Sequence, residues 1–189
     1  MRQKLGTASN SARAARLCAL AFVAVLVVAT LVVAGYPVYV RPQIDPLRKA
    51  DAILIVGGAD PLPRYRYGFE LAGQGWAPHL VVSDPDRQLT KACGVRYPGF
   101  TVECFVPDPR TTQGEAREIS RLAIEKHWRT VIVVAYLPHI SRARYLIERC
   151  FGGDLIMAAA PTRLSLPDWA WMYGYQSAGY LKSLFAGGC

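Results

Sequence analysis

Thr130-Val131-Ile132-Val133-Val134, followed within a few residues by Tyr136-Leu137-Pro138-His139 and then Ser141-Arg142-Ala143-Arg144, is the stretch on which the fold turns. An apolar, β-branched run of this kind forms a strand buried on both faces, as in a parallel sheet. Ala143, Leu146 and Ile147 then repeat at helical spacing, so a helix starts almost where the strand ends. In an α/β sheet the carboxyl ends of parallel strands open onto helix N-termini, where unpaired N–H groups and the helix dipole favour an anion. His139 and Arg142 are three apart and share one helix face. The stretch predicts a site for a phosphate-like or carboxylate group.

The same alternation extends upstream. Ala52-Ile53-Leu54-Ile55-Val56 is a second fully apolar strand, and Gly57-Gly58 turns it into a helix that carries Arg64 early and stops at Gly73 and Gly75. Glycines there let the backbone approach a ligand closely, and Arg64 can reach the same anion. Equally, the two glycines make a tight turn, and the GxGxxG spacing of a dinucleotide fingerprint is missing. Leu80-Val81-Val82-Ser83 is a third strand, and Asp84-Pro85-Asp86 after it reads as an Asx-Pro turn rather than a metal or ribose pair. Thr101 to Val106 alternates as a strand near a sheet edge does.

Thr112 and Glu115 have capping-box spacing at the start of the next helix, whose inward stripe is Ala116, Ile119, Leu122 and Ala123. That helix also begins at the carboxyl edge, where Thr112 can hydrogen-bond a ligand and Glu115 can act as a base. Leu155-Ile156-Met157-Ala158 makes a fifth strand. The last helix is crowded by Trp169, Trp171, Tyr173, Tyr175 and Tyr180, an aromatic stripe expected to pack on the domain and to lie near the membrane. Strands alternating with helices imply an α/β, mainly parallel, doubly wound sheet of about five strands.

Ahead of this domain, residues 17–40 contain no charge and are rich in Leu, Val and Ala. At about 1.5 Å per residue such a helix is long enough to span the roughly 30 Å of bilayer hydrocarbon with some tilt. The basic flank, Arg2, Lys4, Arg13 and Arg16, lies before it, so the positive-inside bias makes residues 1–16 a cytoplasmic tail and turns the domain outward across a plasma membrane. A cleaved signal peptide is the alternative, with Val32-Val33-Ala34 as its cleavage site, but the apolar run exceeds the usual length. Residues 41–50, with Pro42 and Pro46, read as a linker lifting the domain, residues 51–189, off the bilayer. Of the formal net charge of +8, the tail contributes four units and the remainder of the chain the other four. So diffuse a charge, without basic runs, argues against nucleic acid as a partner.

Cysteine use fits an exported domain. Cys93 and Cys104 bracket a loop carrying Gly94, Pro98 and Gly99 and are the expected disulfide, whereas Cys150 and Cys189 can pair or remain free thiols. With no CxxC and no His at ligand spacing, no metal site is expected, and no motif calls for a cofactor.

Five pieces in order resemble the YdcF-like family, also called DUF218 or the SanA/ElyC group. They are Asp51 to Gly58 with Arg64, Val81-Val82-Ser83, Thr111 to Ala116, His139 to Ala143, and Tyr175 to Lys182. The resemblance covers nearly all of residues 51–185 and implies a Rossmann-like domain, with Ser83 among its ligand-facing positions. In anchored members it implies a link to envelope integrity and to peptidoglycan or its lipid carrier. The chain departs from the family pattern at Asp84-Pro85, where two glycines are common, at Glu115 where Asn is common, and at Ala135 where Thr or Ser is common.

These readings combine into one expectation. An anchored, outward-facing domain binds a phosphorylated small molecule or lipid-linked envelope precursor, with hydrolysis or transfer as the chemistry open to it. Gly57 and Gly58 offer N–H groups, Arg64 and Arg142 neutralise charge, His139 is the acid or base, and Glu115 is the alternative base. A non-catalytic binding module and an envelope-assembly scaffold are the alternatives.

Overall fold

The computed structural model describes residues 4–189 apart from 59, 60, 88, 90 and 186, with side chains from residue 13 onward. Arg2 of the basic tail lies outside the described residues.

Six strands form one mixed sheet: β1 Ala52–Ile55, β2 His79–Ser83, β3 Arg96–Tyr97, β4 Phe100–Phe105, β5 Thr130–Tyr136 and β6 Asp154–Ala160, in the order β3-β4-β2-β1-β5-β6. All neighbours are parallel except β3 and β4. The apolar runs at 52–55 and 131–135 are fully buried because they occupy the middle of the sheet, with a strand on each side and packed side chains on both faces. The sixth strand is the two-residue β3, which pairs antiparallel with β4 across Arg96↔Thr101 and Tyr97↔Phe100 and brings the count above the expected five. A Cys93–Cys104 disulfide clips its loop to β4, as expected, and Cys150 pairs with Cys189, tying the C-terminus to the end of the helix after β5.

The period-two alternation of the strands splits the core in two. Leu54, Val56, Val131 and Val133 face α3 (Thr112–Lys126) and α4 (Ile140–Glu148), which contribute Ala116, Ile119, Ala143 and Ile147. Ile53, Ile55, Ile132 and Val134 face the opposite way, towards Tyr65, Leu71 and Ala72 of α2 (Leu62–Gly73).

The N-terminal helix α1, Lys4–Gly35, continues into one π-helical turn over Tyr36–Val40. Within it Arg13–Val40 is long and apolar enough to cross a membrane, and the domain buries none of its most apolar window. The segment after it is strapped to the domain rather than extended: Asp45 Oδ2 accepts from Met157 N at 2.8 Å and from Arg144 at 2.5 Å, and Leu47 and Ala50 pack on the core. The last helix, α5, runs from Leu166 to Phe185.

Candidate functional site

The carboxyl ends of β1, β2 and β5 and the first turns of α2, α3 and α4 meet at one edge of the sheet. Here charged and polar side chains are buried where apolar ones are the rule: Arg64 at 2 % exposure, Ser83 at 0 %, Glu115 at 3 %, His139 at 6 % and Thr112 at 7 %.

Glu115 is the centre of the group. Its Oε1 accepts from Gly57 N at 2.7 Å, so the N–H offered by the βα turn is held by the protein's own carboxylate. A side chain at residue 57 would press on Ser83 Oγ and Glu115 Oε1, which explains the glycine. Burial raises the Glu115 pKa, opposed by Ser83, the Gly57 N–H and the guanidiniums of Arg64 and Arg142. Among the described residues, Ser83 Oγ and Glu115 Oε2 are nevertheless buried without a partner at hydrogen-bonding geometry.

How Glu115 comes free to do this is a matter of helix capping. The N-cap of α3 is Thr111, whose side chain accepts from Gly114 N at 3.4 Å. The capping-box spacing of Thr112 and Glu115 is therefore off by one position, because Thr111 and Thr112 are adjacent and either hydroxyl suits an N-cap. Thr112, as the first helical residue, instead meets His139 Nε2 at 3.2 Å.

His139 ends a short 3-10 turn, Leu137–His139, and caps α4. Burial first, and then the positive charges of Arg142 and Arg64, hold its pKa well below the ordinary imidazole value. It is a neutral imidazole at pH 7, able to accept a proton from, or donate one to, a group that displaces the Thr112 hydroxyl. Arg64 Nη2 donates to Gly58 O at 2.9 Å, and its guanidinium sits over the Tyr136 ring at 5.9 Å. Arg142 Nε donates to Gln176 Oε1 at 2.9 Å, with its guanidinium laid against Gly179.

Gly57, Ser83, Glu115, Arg64, Thr112, His139 and Arg142 thus belong to one neighbourhood, and Gly58 joins it through its carbonyl. Asp84 is a turn residue: its carboxylate accepts from Leu89 N at 2.8 Å and its carbonyl accepts from Arg87 N at 3.1 Å. Among the described residues no three His, Cys, Asp or Glu side chains come together as metal ligands do. An open depression of about 410 Å³ lies beside α2, lined by residues including Leu62, Arg66, Glu70 and Pro161 and by none of the cluster's side chains. Sequence reasoning missed Gln176 and Tyr136. Gln176 has a visible signal, a lone amide in an aromatic-rich helix, whereas Tyr136 reads as part of the connection after a strand ending at Val134, and the strand in fact runs through it.

Comparisons with protein-family models, curated proteins and solved structures return no match.

Proposed function

We propose that this chain is a membrane-anchored, extracytoplasmic α/β domain of cell-envelope biogenesis or integrity that binds a phosphorylated ligand at the sheet edge, as the YdcF-like resemblance implies. The observation that carries the reading is the burial together of Arg64, neutral His139 and Glu115 beside the βα turn, with half-buried Arg142 alongside. One buried and one half-buried guanidinium and a backbone N–H suit an oxyanion, and the internal carboxylate occupies the place of one. A phosphate taking the Gly57 N–H displaces Glu115, whose burial already favours protonation, so binding takes up a proton. His139 then serves as the base for a water or hydroxyl, and hydrolysis or transfer is the resulting chemistry. A strand order that reverses beside β1, with helices on both faces, supports a Rossmann-like, doubly wound sheet whose ligand crevice is at that reversal. The apolar helix and the two disulfides support an outward-facing domain.

The test is thermal unfolding of the full chain in detergent micelles, wild type beside Arg142→Ala, with inorganic phosphate, nucleotide sugars and soluble lipid-carrier phosphates. A true ligand at about 100 times its dissociation constant stabilises wild type by roughly 2.7 kcal/mol, and Arg142→Ala loses most of that shift. Equal shifts in both proteins, or none in either, defeat the anion site. For a ligand that binds, lost turnover with kept affinity in His139→Ala marks an enzyme, and no turnover in wild type marks a binding module.

A further inference from the structure

The outer face of α5 breaks the rule for a helix in water. Trp171, Gly174, Tyr175, Ala178, Leu181 and Phe185 recur every three or four residues and are all exposed, Trp171 at 67 % and Phe185 at 88 %. Across Leu166–Phe185 the only charges are Asp168 and Lys182. A helix on a soluble domain turns a polar face to solvent, and a contiguous apolar strip marks a surface that something covers.

Contacts on the inner face say what that is. Tyr173 of α5 donates its hydroxyl to Val32 O of α1 at 3.1 Å, and its ring packs edge-on against Tyr39 at 5.0 Å. Tyr39 in turn shares a hydrogen bond of 2.9 Å with Ser177. The Tyr173 ring lies so close to Gly35 that any side chain there would collide with it. Val32 is well inside the apolar segment Arg13–Val40, about 12 Å from its C-terminal end at 1.5 Å per residue. The part of α5 around Tyr173 is therefore at the depth of the last turns of the membrane-crossing helix. Its neighbours Trp171 and Tyr175 are at that depth too, on the side away from the domain.

We propose that α5 is a second membrane element, an interfacial helix whose outer strip of Trp171, Tyr175, Leu181 and Phe185 is seated in the headgroup–acyl boundary. Aromatic rings favour that boundary, and Lys182 extends its ammonium from it to water. α5 is not itself among the helices apolar enough to cross. Its inner face holds Arg142 through Gln176 and Gly179, and Tyr180 donates to Ser141 O at 3.0 Å. The buried polar cluster is thereby about one helix diameter, roughly 10 Å, from lipid. This membrane contact stands independently of what the cluster binds.

The test places the full chain in phosphatidylcholine vesicles and follows tryptophan fluorescence, wild type beside Trp171→Phe, so that the difference isolates Trp171. Acyl chains brominated near the headgroup should lower that component by about two-fold or more, while iodide in the water leaves it nearly unchanged, because the strip lies below the headgroups. Trp171→Phe combined with Tyr175→Trp should restore a component quenched in the same way, which guards against a local effect at residue 171. Quenching by iodide and not by brominated lipid overturns the proposal in favour of a water-facing helix. Protection from both overturns it in favour of a protein partner. No ligand is present, so this outcome is separate from that of the phosphate-binding test.

Discussion

The sheet-edge cluster and the outer face of α5 depart from ordinary burial in opposite directions. The first hides Arg64, Glu115 and His139 from water, and the second shows Trp171, Leu181 and Phe185 to it. Neither arrangement lowers the free energy of an isolated soluble domain, since buried charge has to be compensated by partners and exposed apolar surface invites association. The two meet in one helix, with Gln176 and Gly179 on its inner side holding Arg142 and Trp171 and Tyr175 on its outer side. α5 therefore joins the exposed apolar strip to the site, and with that strip on lipid, as proposed, it would link the membrane to the cluster. On the proposed function, a charge cluster beside lipid would meet a charged group carried at that surface.

The contrast is broken most strongly at Glu115. Glu115→Ala leaves two guanidiniums and the Gly57 N–H without their carboxylate and should cost about 3 kcal/mol of stability. Glu115→Gln keeps an acceptor for Gly57 N and should cost about 1 kcal/mol. Denaturant midpoints of the two variants in micelles check this, and equal losses would show that the carboxylate is not organising the cluster.

His139 sharpens the comparison through pH. Because its folded pKa is lowered, the unfolded chain binds the proton more readily. Its contribution is intact above the unfolded value near 6.5 and falls below it by up to about 1.4 kcal/mol per pH unit. Glu115 acts in the opposite sense: its raised pKa lets the folded state take up a proton first, which adds stability as the pH falls. The clean observable is the stability of wild type minus that of His139→Gln, which should shrink by about 1–2 kcal/mol from pH 7.5 to 5.5. Parallel curves for the two proteins would refute it.

The smallest effect belongs to α5. Trp171→Ser touches no buried contact and should move the denaturant midpoint in micelles by less than about 0.5 kcal/mol. A loss above 2 kcal/mol would mean that Trp171 packs on protein.

How much of this was legible depends on whether the deciding interaction is local. The strands at 52–55, 79–83, 100–105, 130–136 and 154–160 showed as apolar or alternating runs, whereas β3 did not, since two residues have no period. The Cys93–Cys104 pair showed because a short loop separates its ends, whereas Cys150 and Cys189 are 39 apart and chain distance says nothing of contact at that range. Thr112 and Glu115 fitted a capping box, and only the backbone at Thr111 shows that the cap is one residue earlier. The segment with Pro42 and Pro46 has a linker's composition, yet Asp45 straps it to β6 and Arg144.

By itself, the sequence determined what local pattern can carry: an alternating α/β domain, a helix long and apolar enough for a membrane, and a set of polar residues at strand ends. Periodicity and length are properties of neighbouring residues, so folding is not needed to read them. Only the tertiary structure decided that Glu115 takes the Gly57 N–H, that Arg142 rests on Gln176, and that Tyr173 reaches Val32. These partners are 58, 34 and 141 residues apart. Which of many polar groups meet over such separations is set by how the layers pack, because burial forces each donor to find the acceptor that packing brings to it.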